Sequence, residues 1–367
     1  MEVAATFAIE NNPTALMGIL FGIILHFIGG FASGSFYIPF KRVRDWAWES
    51  YWIVGGLFSW LIVPPLAAWL TVPGFVDIIR QTDGGTLGWT FLMGVLWGIG
   101  GLTYGLGIRY LGMSLGNSVI LGYCSVFGAL VPSIYYNFFP ATGKISLTDM
   151  LAGDGGRLVL AGVAVCLTGI AVSGRAGMMK EKELPEAQKK ESIREFSLVK
   201  GLIVATVSGI LSACFNFGIE AGKPMALEAV AQGFNPLFQN NVTYVVLLWG
   251  GLTTNFIWCM VLNVQNRTFG DYTNKSTPLL RNYTFSAIAG TTWFLQFFFY
   301  GMGESKLGNG ASSWILHMAF IILVSNMWGF VLKEWRGVGR KTLTTITIGI
   351  ALILTSVLIV GVGNSLM

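Results

Sequence analysis

The chain predicts an all-α polytopic membrane protein: ten transmembrane helices forming two inverted five-helix repeats. Three observations carry that expectation. Of 367 residues, 53% are hydrophobic and 11% charged, with mean hydropathy +0.64, whereas soluble domains carry about 25% charged residues. Ten stretches free of Asp, Glu, Lys and Arg are long enough for a bilayer core, which needs about 20 residues per helix. One pattern also occurs twice, 196 positions apart. It reads Gly94, Trp97, Tyr104, Gly105, Gly107, Leu111, Gly112, and again Gly290, Trp293, Tyr300, Gly301, Gly303, Leu307, Gly308. Internal duplication of this kind fixes architecture before any residue-level reading.

The spans fall within 14–40, 50–76, 84–108, 110–143, 158–174, 201–219, 229–266, 282–303, 307–332 and 342–367. The fifth sits at the lower length limit, and the fourth and seventh include loop at their ends. Short alternating segments suited to a barrel are absent, so helices must satisfy the backbone in lipid. Residues 1–13 lack a basic n-region and a cleavage site, so no removable signal peptide is expected. Cys124, Cys166, Cys214 and Cys259 lie inside spans without metal or redox spacing and read as small core residues.

The basic residues give direction. Loops after spans 1, 3, 5, 7 and 9 hold 18 of the 23 Lys and Arg residues. Cytoplasmic loops carry that excess, so both termini are expected outside. The net charge of +5 is then a topology signal, and no nucleic-acid partner is needed to explain it. The charged stretch 175–200 reads as a cytoplasmic linker with some helical content. It separates an N-terminal repeat, 1–174, from a C-terminal repeat, 201–367. First spans align at an offset of 179: Gly22 with Gly201, Gly30 with Gly209, Ser33 with Ser212, Phe36 with Phe215. The fifth and tenth align only through Gly156-Arg157 and Gly339-Arg340. Five spans per repeat turn the second copy upside down, the design of many secondary transporters whose site lies between the halves. The 48 glycines include pairs at four-residue spacing, such as Gly94–Gly98 and Gly101–Gly105, which let helix backbones approach closely.

No phosphate-cradling loop, zinc-binding helix or nucleophile–base arrangement is present, so no enzyme activity, cofactor or metal is expected. Both histidines, His26 and His317, lie within spans, where a group titrating near neutrality can load and release a proton. The plainer reading of each is a neutral imidazole hydrogen-bonded to a neighbouring helix. Acidic residues keep to loops and span ends. Glu220 and Glu304 lie deepest, and Glu220 reads as a carboxylate reaching the outer surface beside Lys223. Without a mid-span countercharge the expected substrate is neutral and polar. A pyranose, with one apolar face and a rim of hydroxyls, fits aromatic platforms with neutral hydrogen-bonding groups. Candidates are Trp97, Tyr104, Trp293, Gln296, Tyr300 and Trp314, with Ser33, Tyr37, Asn117 and Asn216 nearby. Trp46, Trp48, Trp52 and Trp335 read as an interfacial belt. Gly100 aligns with Gln296, which places the polar reader on one side only.

Longer motifs add a resemblance. Phe36-Tyr37-Ile38-Pro39-Phe40-Lys41 is followed by Trp46-x-Trp48-Glu49, and then come Arg109-Tyr110-Leu111-Gly112-Met113-Ser114 and Leu295-Gln296-Phe297-Phe298-Phe299-Tyr300. Ser313-Trp314-Ile315-Leu316-His317-Met318 and Val331-Leu332-Lys333-Glu334-Trp335 complete the set. At these residues the chain resembles the L-rhamnose–proton symporters of the drug/metabolite transporter superfamily, over nearly its whole length. Residues 301–306 and 137–155 differ from that pattern. The resemblance implies uptake of L-rhamnose, or a closely related deoxy sugar, with protons across a bacterial inner membrane. It also implies proton coupling through His26 and His317. Helices 1–4 and 6–9 are expected to line a central cavity, with 5 and 10 peripheral. The alternatives are a metabolite or drug exporter of the same architecture and a membrane-embedded enzyme.

Overall fold

The computed structural model describes residues 13–111, 113–140, 144–183, 198–331, 335 and 337–367, and every regular element among them is helical. The long helices are α1 (Pro13–Ser35, continued by the turn Tyr37–Phe40), α2 (Trp48–Thr71), α3 (Gly84–Leu111), α4 (Met113–Phe138) and α5 (Asp154–Glu183). After the linker come α6 (Leu198–Ala221), α7 (Asn240–Asn266), α8 (Leu279–Leu307), α9 (Gly310–Val331) and α10 (Arg340–Ser365). Among the described residues nine helices are long and apolar enough to cross a membrane. Helix α8 is not one of them. Its 29 residues reach roughly 43 Å, at about 1.5 Å per residue, so length suffices. It falls short in apolarity, because Asn282, Ser286, Gln296, Tyr300 and Glu304 are all buried along it.

Boundaries move where the chain offers punctuation. Val72-Pro73-Gly74 ends α2 and starts a separate short helix, Phe75–Gln81, so residues 72–76 of the expected second span lie outside it. The expected seventh span loses 229–239 to the helix Lys223–Ala231 and the turn Pro236–Phe238. The fifth, marginal by its charge-free length, runs from Asp154 to Glu183, because long basic side chains at a helix end reach water while their stems stay apolar. The carboxylate of Glu183 accepts hydrogen bonds from Thr342 Oγ1 and the Gly339 backbone, both at 2.6 Å, and these hold it below the usual carboxylate range. They tie the end of α5 to the start of α10.

Helix α2 is not uniform. Leu57–Ile62 is a π-helical turn between two α-helical parts. Pro64 and Pro65 follow it, and a proline removes an N–H and crowds the carbonyl four residues earlier.

The packing follows one scheme. Helix α3 lies against α6 and α7, and α8 against α1 and α2; α4 lies against α6, and α9 against α1. Helices α5 and α10 pair with each other at the side. Glycine sets the closest approaches. A Cβ on Gly94 would lie 1.9 Å from the Leu247 carbonyl, and one on Gly290 would lie 2.0 Å from the Gly55 carbonyl. Any side chain at either position would push two backbones apart. Along α5, Gly155, Gly162 and Gly169 face Gly363, Val360 and Ile353 of α10, which is the small-residue contact expected between helices in lipid.

Candidate functional site

The polar centre of the bundle starts from a proline. Pro132 lies inside α4 and has no N–H to offer the carbonyl of Gly128, one turn earlier. In lipid that carbonyl must find another donor. Asn216 of α6 supplies it, with Nδ2 2.7 Å away. The Oδ1 of Asn216 then accepts the phenol of Tyr300 at 3.2 Å. Trp314 of α9 fills the slot that Gly128 leaves and donates its indole N–H to the Cys124 carbonyl at 3.0 Å.

Tyr300 holds the two histidines apart. Its ring centre is 5.3 Å from His26 and 5.2 Å from His317, and the two imidazoles are 6.3 Å from each other. Both are fully buried. Neither nitrogen of either ring has a hydrogen-bond partner. The plainer expectation, an imidazole satisfied by a neighbouring helix, is therefore not what this geometry shows. Two features make room for the rings. Gly303 faces His26, where a Cβ would lie 2.8 Å from Nε2, and Gly29 brings α1 against α8 and the His317 ring. An unpaired buried polar group costs about 1–3 kcal/mol, so four such nitrogens are an unusual thing to keep in a core.

A second, aromatic layer lies next to this one. Trp97 and Trp293 meet at 5.4 Å, with Trp60 edge-on to both at 6.2 and 5.9 Å. Phe215 and Phe297, stacked at 3.7 Å, stand between the tryptophans and the histidines. A narrow recess lined by Phe36, Phe40, Trp52, Ser59, Trp60 and Trp293 opens beside the tryptophans.

The structure thus gathers His26, His317, Tyr300, Trp314 and Asn216 in one cluster and Trp97 with Trp293 in the next. Gln296 is buried between them, but its amide donates to the Trp293 carbonyl of its own helix at 2.9 Å. Tyr104 lies apart, packed against Leu111, Ile120 and Ala205. Tyr37 is exposed and Ser33 half-buried on the far part of α1, while the side chain of Asn117 lies outside the described residues.

Three expectations need correction. Glu220 does not reach out beside Lys223; it takes the Tyr136 hydroxyl at 2.9 Å from the end of α4 and Lys144 from the α4–α5 connection. Lys223 pairs instead with Glu304 at 3.1 Å. Trp46 and Trp52 are not belt residues alone. Trp46 is buried against Tyr272 and Tyr283, and Trp52 donates to Asn255 of α7 at 3.0 Å.

Sequence reasoning passed over Trp60, Phe215, Phe297 and Tyr244. Trp60 carried a usable signal, standing four residues before a Pro-Pro pair in an apolar span. Phe215 aligned with Phe36 and Phe297 stood in a longer motif, but a phenylalanine in a membrane helix is ordinary, so neither marked a site.

A crystal structure of a protein superimposes with TM-score 0.52 at 11% identity, covering 92% of this chain and 95% of that one, and that likeness shows the fold alone. The L-rhamnose-proton symporter of Cronobacter sakazakii is 38% identical over 350 residues, 94% of this chain and 98% of that protein. That of Pectobacterium carotovorum is 37% identical over 358 residues, 96% and 99% of the two chains. The symporter of Yersinia pestis is 38% identical over 351 residues. The family model for the L-rhamnose-proton symport protein (RhaT) matches residues 16–366, and the chain belongs to that family.

Proposed function

We propose that this protein carries L-rhamnose into a bacterial cell together with protons, across the inner membrane, by alternating access. The observation that carries the reading is the pair of fully buried, unpartnered imidazoles 6.3 Å apart in a membrane bundle of this family. An intramembrane ionisable group marks a transport path by default. Two facing histidines can hold one proton between them, since a second charge at that distance is disfavoured. The substrates named for the relatives supply the sugar.

The architecture of the reading is ten spans, α8 included, in two inverted repeats divided at 175–200, within the drug/metabolite transporter superfamily. The packing supports the repeat, and five spans per half make the second copy inverted. Exchanging the halves maps α3 on α6 into α8 on α1, α3 on α7 into α8 on α2, and α4 on α6 into α9 on α1. The termini then lie in the periplasm, as the basic residues require.

The sugar lies against Trp97, Trp293 and Trp60, and the proton on His26 or His317, with Phe297 touching both layers. Occupation of one layer shifts the facing equilibrium through that ring, because a ligand moves a conformational equilibrium by its differential affinity for the two states. The test is uptake of labelled L-rhamnose into proteoliposomes under an imposed pH gradient. The expected result is accumulation that collapses when the gradient is removed. Uptake indifferent to the gradient overturns symport, and no uptake overturns the sugar.

A further inference from the structure

We propose that Glu304 loads the proton that His26 and His317 use, and that Lys223 is the counter-ion that closes the mouth behind it. The inference rests on the symport reading above. Glu304 is a carboxylate only 6% exposed in α8. It takes Lys223 Nζ from the helix Lys223–Ala231 at 3.1 Å and the amide of Asn240 from α7. The charged and titratable groups around it come from every neighbouring element. They are Lys223, Tyr244 of α7, His26 of α1 across Gly303, and Tyr300 and Lys306 on α8 itself. Glu220 of α6, held by Lys144 and Tyr136, completes the set.

The placement is what points to loading. Glu304 stands one turn beyond Tyr300, the ring that touches both imidazoles, and next to Gly303, against which the His26 Nε2 packs. The Tyr244 hydroxyl, buried without a partner, faces the Gly301 backbone on the same stretch. So the Tyr244 hydroxyl packs on Gly301 and the His26 ring on Gly303, both within the stretch of α8 that joins Tyr300 to Glu304.

The cycle balances. With Lys223 drawn away, Glu304 is a buried carboxylate without its counter-ion, and such a group takes up a proton readily. The proton comes from water at the opened mouth. Transfer breaks the carboxyl O–H bond and forms an N–H bond at an imidazole lone pair. The carboxylate so restored recaptures Lys223, and the mouth closes with the proton inside. Delivery and closure are then one event, which is what coupling requires.

The test uses the full chain in proteoliposomes with labelled L-rhamnose, comparing wild type, Glu304→Gln and Lys223→Met. Two readouts are taken, accumulation under a pH gradient and sugar counterflow at equal pH. A proton-transfer group contributes about 100-fold or more, so Glu304→Gln is expected to lose at least about tenfold more accumulation than counterflow. Lys223→Met is expected to change the pH profile of uptake, because it removes the charge that Glu304 meets at the mouth. Glu304→Gln accumulating like wild type, or losing both readouts equally, overturns the proposal. Should Glu304→Gln not assemble, an unmoved pH profile in Lys223→Met overturns it alone. Wild type without rhamnose counterflow sinks the symport reading instead, a distinct outcome.

Discussion

Two junctions in this molecule share a scaffold and differ in chemistry. At one, α1 meets α8 and α9; at the other, α6 meets α3 and α4. The offsets of 179 and 196 pair His26 with Ala205, Gly29 with Ser208, Tyr300 with Tyr104 and Gly303 with Gly107. Gly30 backs onto Phe320 and Gly209 onto Tyr123 and Cys124, which places His317 opposite Ile120 and Leu121. So the first junction holds two unpaired imidazoles, while the second closes over Leu111, Ile120 and Ala205. Stability alone favours the second arrangement, since aliphatic packing leaves no polar nitrogen orphaned. On the symport reading proposed above, that cost is offset by proton handling, and the aliphatic junction shows the packing without it.

The largest effect comes from making the two junctions alike. His317→Leu, alone and with His26→Ala, copies the quiet side. Gradient-driven accumulation is expected to fall by about 100-fold or more, the scale set by losing a proton-transfer group. Thermal stability of His317→Leu is expected to hold or rise, because two unsatisfied nitrogens are replaced by apolar atoms of similar bulk. A variant that melts early and also stops accumulating would mean the imidazole is a packing residue. Retained accumulation in the double variant would mean neither ring carries the proton.

Second in size is Gly29→Ser, which copies Ser208. On the quiet side Ser208 Oγ donates to the Gly100 carbonyl at 2.8 Å. On the other side a Cβ at position 29 would stand 2.7 Å from the Gln296 carbonyl and 3.4 Å from His317 Cε1. The side chain cannot fit without parting α1 from α8, so a loss of about 1–3 kcal/mol is expected from overpacking. Thermal unfolding in detergent measures it, and an unchanged midpoint would show that the α1–α8 interface has slack.

The twofold pattern was legible from the chain because glycine at a close approach tolerates no substitute: Gly94 and Gly290 each meet a carbonyl head-on. The histidines stood out for the opposite reason, as titratable groups inside apolar sequence. What stayed hidden depends on pairing in space. The Gly128 carbonyl that Pro132 leaves without a donor and Asn216 meets, the choice of Lys223 for Glu304 over Glu220, and the Phe215–Phe297 stack each join residues 80 or more positions apart. Gln296 shows a milder case: its polarity suggested a reader of substrate, and part of its amide is spent within its own helix, where Nε2 donates to the Trp293 carbonyl.

Tyr300→Phe is the third test, since Tyr300 and Tyr104 occupy equivalent places. The phenol at 300 donates to Asn216, and losing it leaves Oδ1 of a buried amide without that donor, at about 1–3 kcal/mol. Accumulation is expected to fall about tenfold, equivalent to about 1.4 kcal/mol. Tyr104→Phe on the quiet side is expected to leave accumulation within about twofold, since the residue packs on Ile120 and Ala205, away from the histidines, and the change removes no proton-transfer group. Equal losses in the two variants would dissolve the distinction between the junctions.

The smallest expected effect is also the most discriminating about what the quiet side is for. Ser208→Ala removes one buried hydrogen bond to the Gly100 carbonyl and leaves the methyl in place. That carbonyl keeps its intrahelical bond from the residue four places on, so no group is orphaned. The cost should then be near the net value of one hydrogen bond, about 1 kcal/mol. If α6 and α3 move as a rigid pair against α1 and α8, uptake at saturating sugar is expected to match wild type while the melting midpoint drops slightly. If the α6–α3 contact must loosen in each cycle, weakening it speeds turnover instead. A rise in maximal rate for Ser208→Ala would relocate the moving interface to the junction without histidines, and the proton would then act across the bundle on a hinge it does not touch.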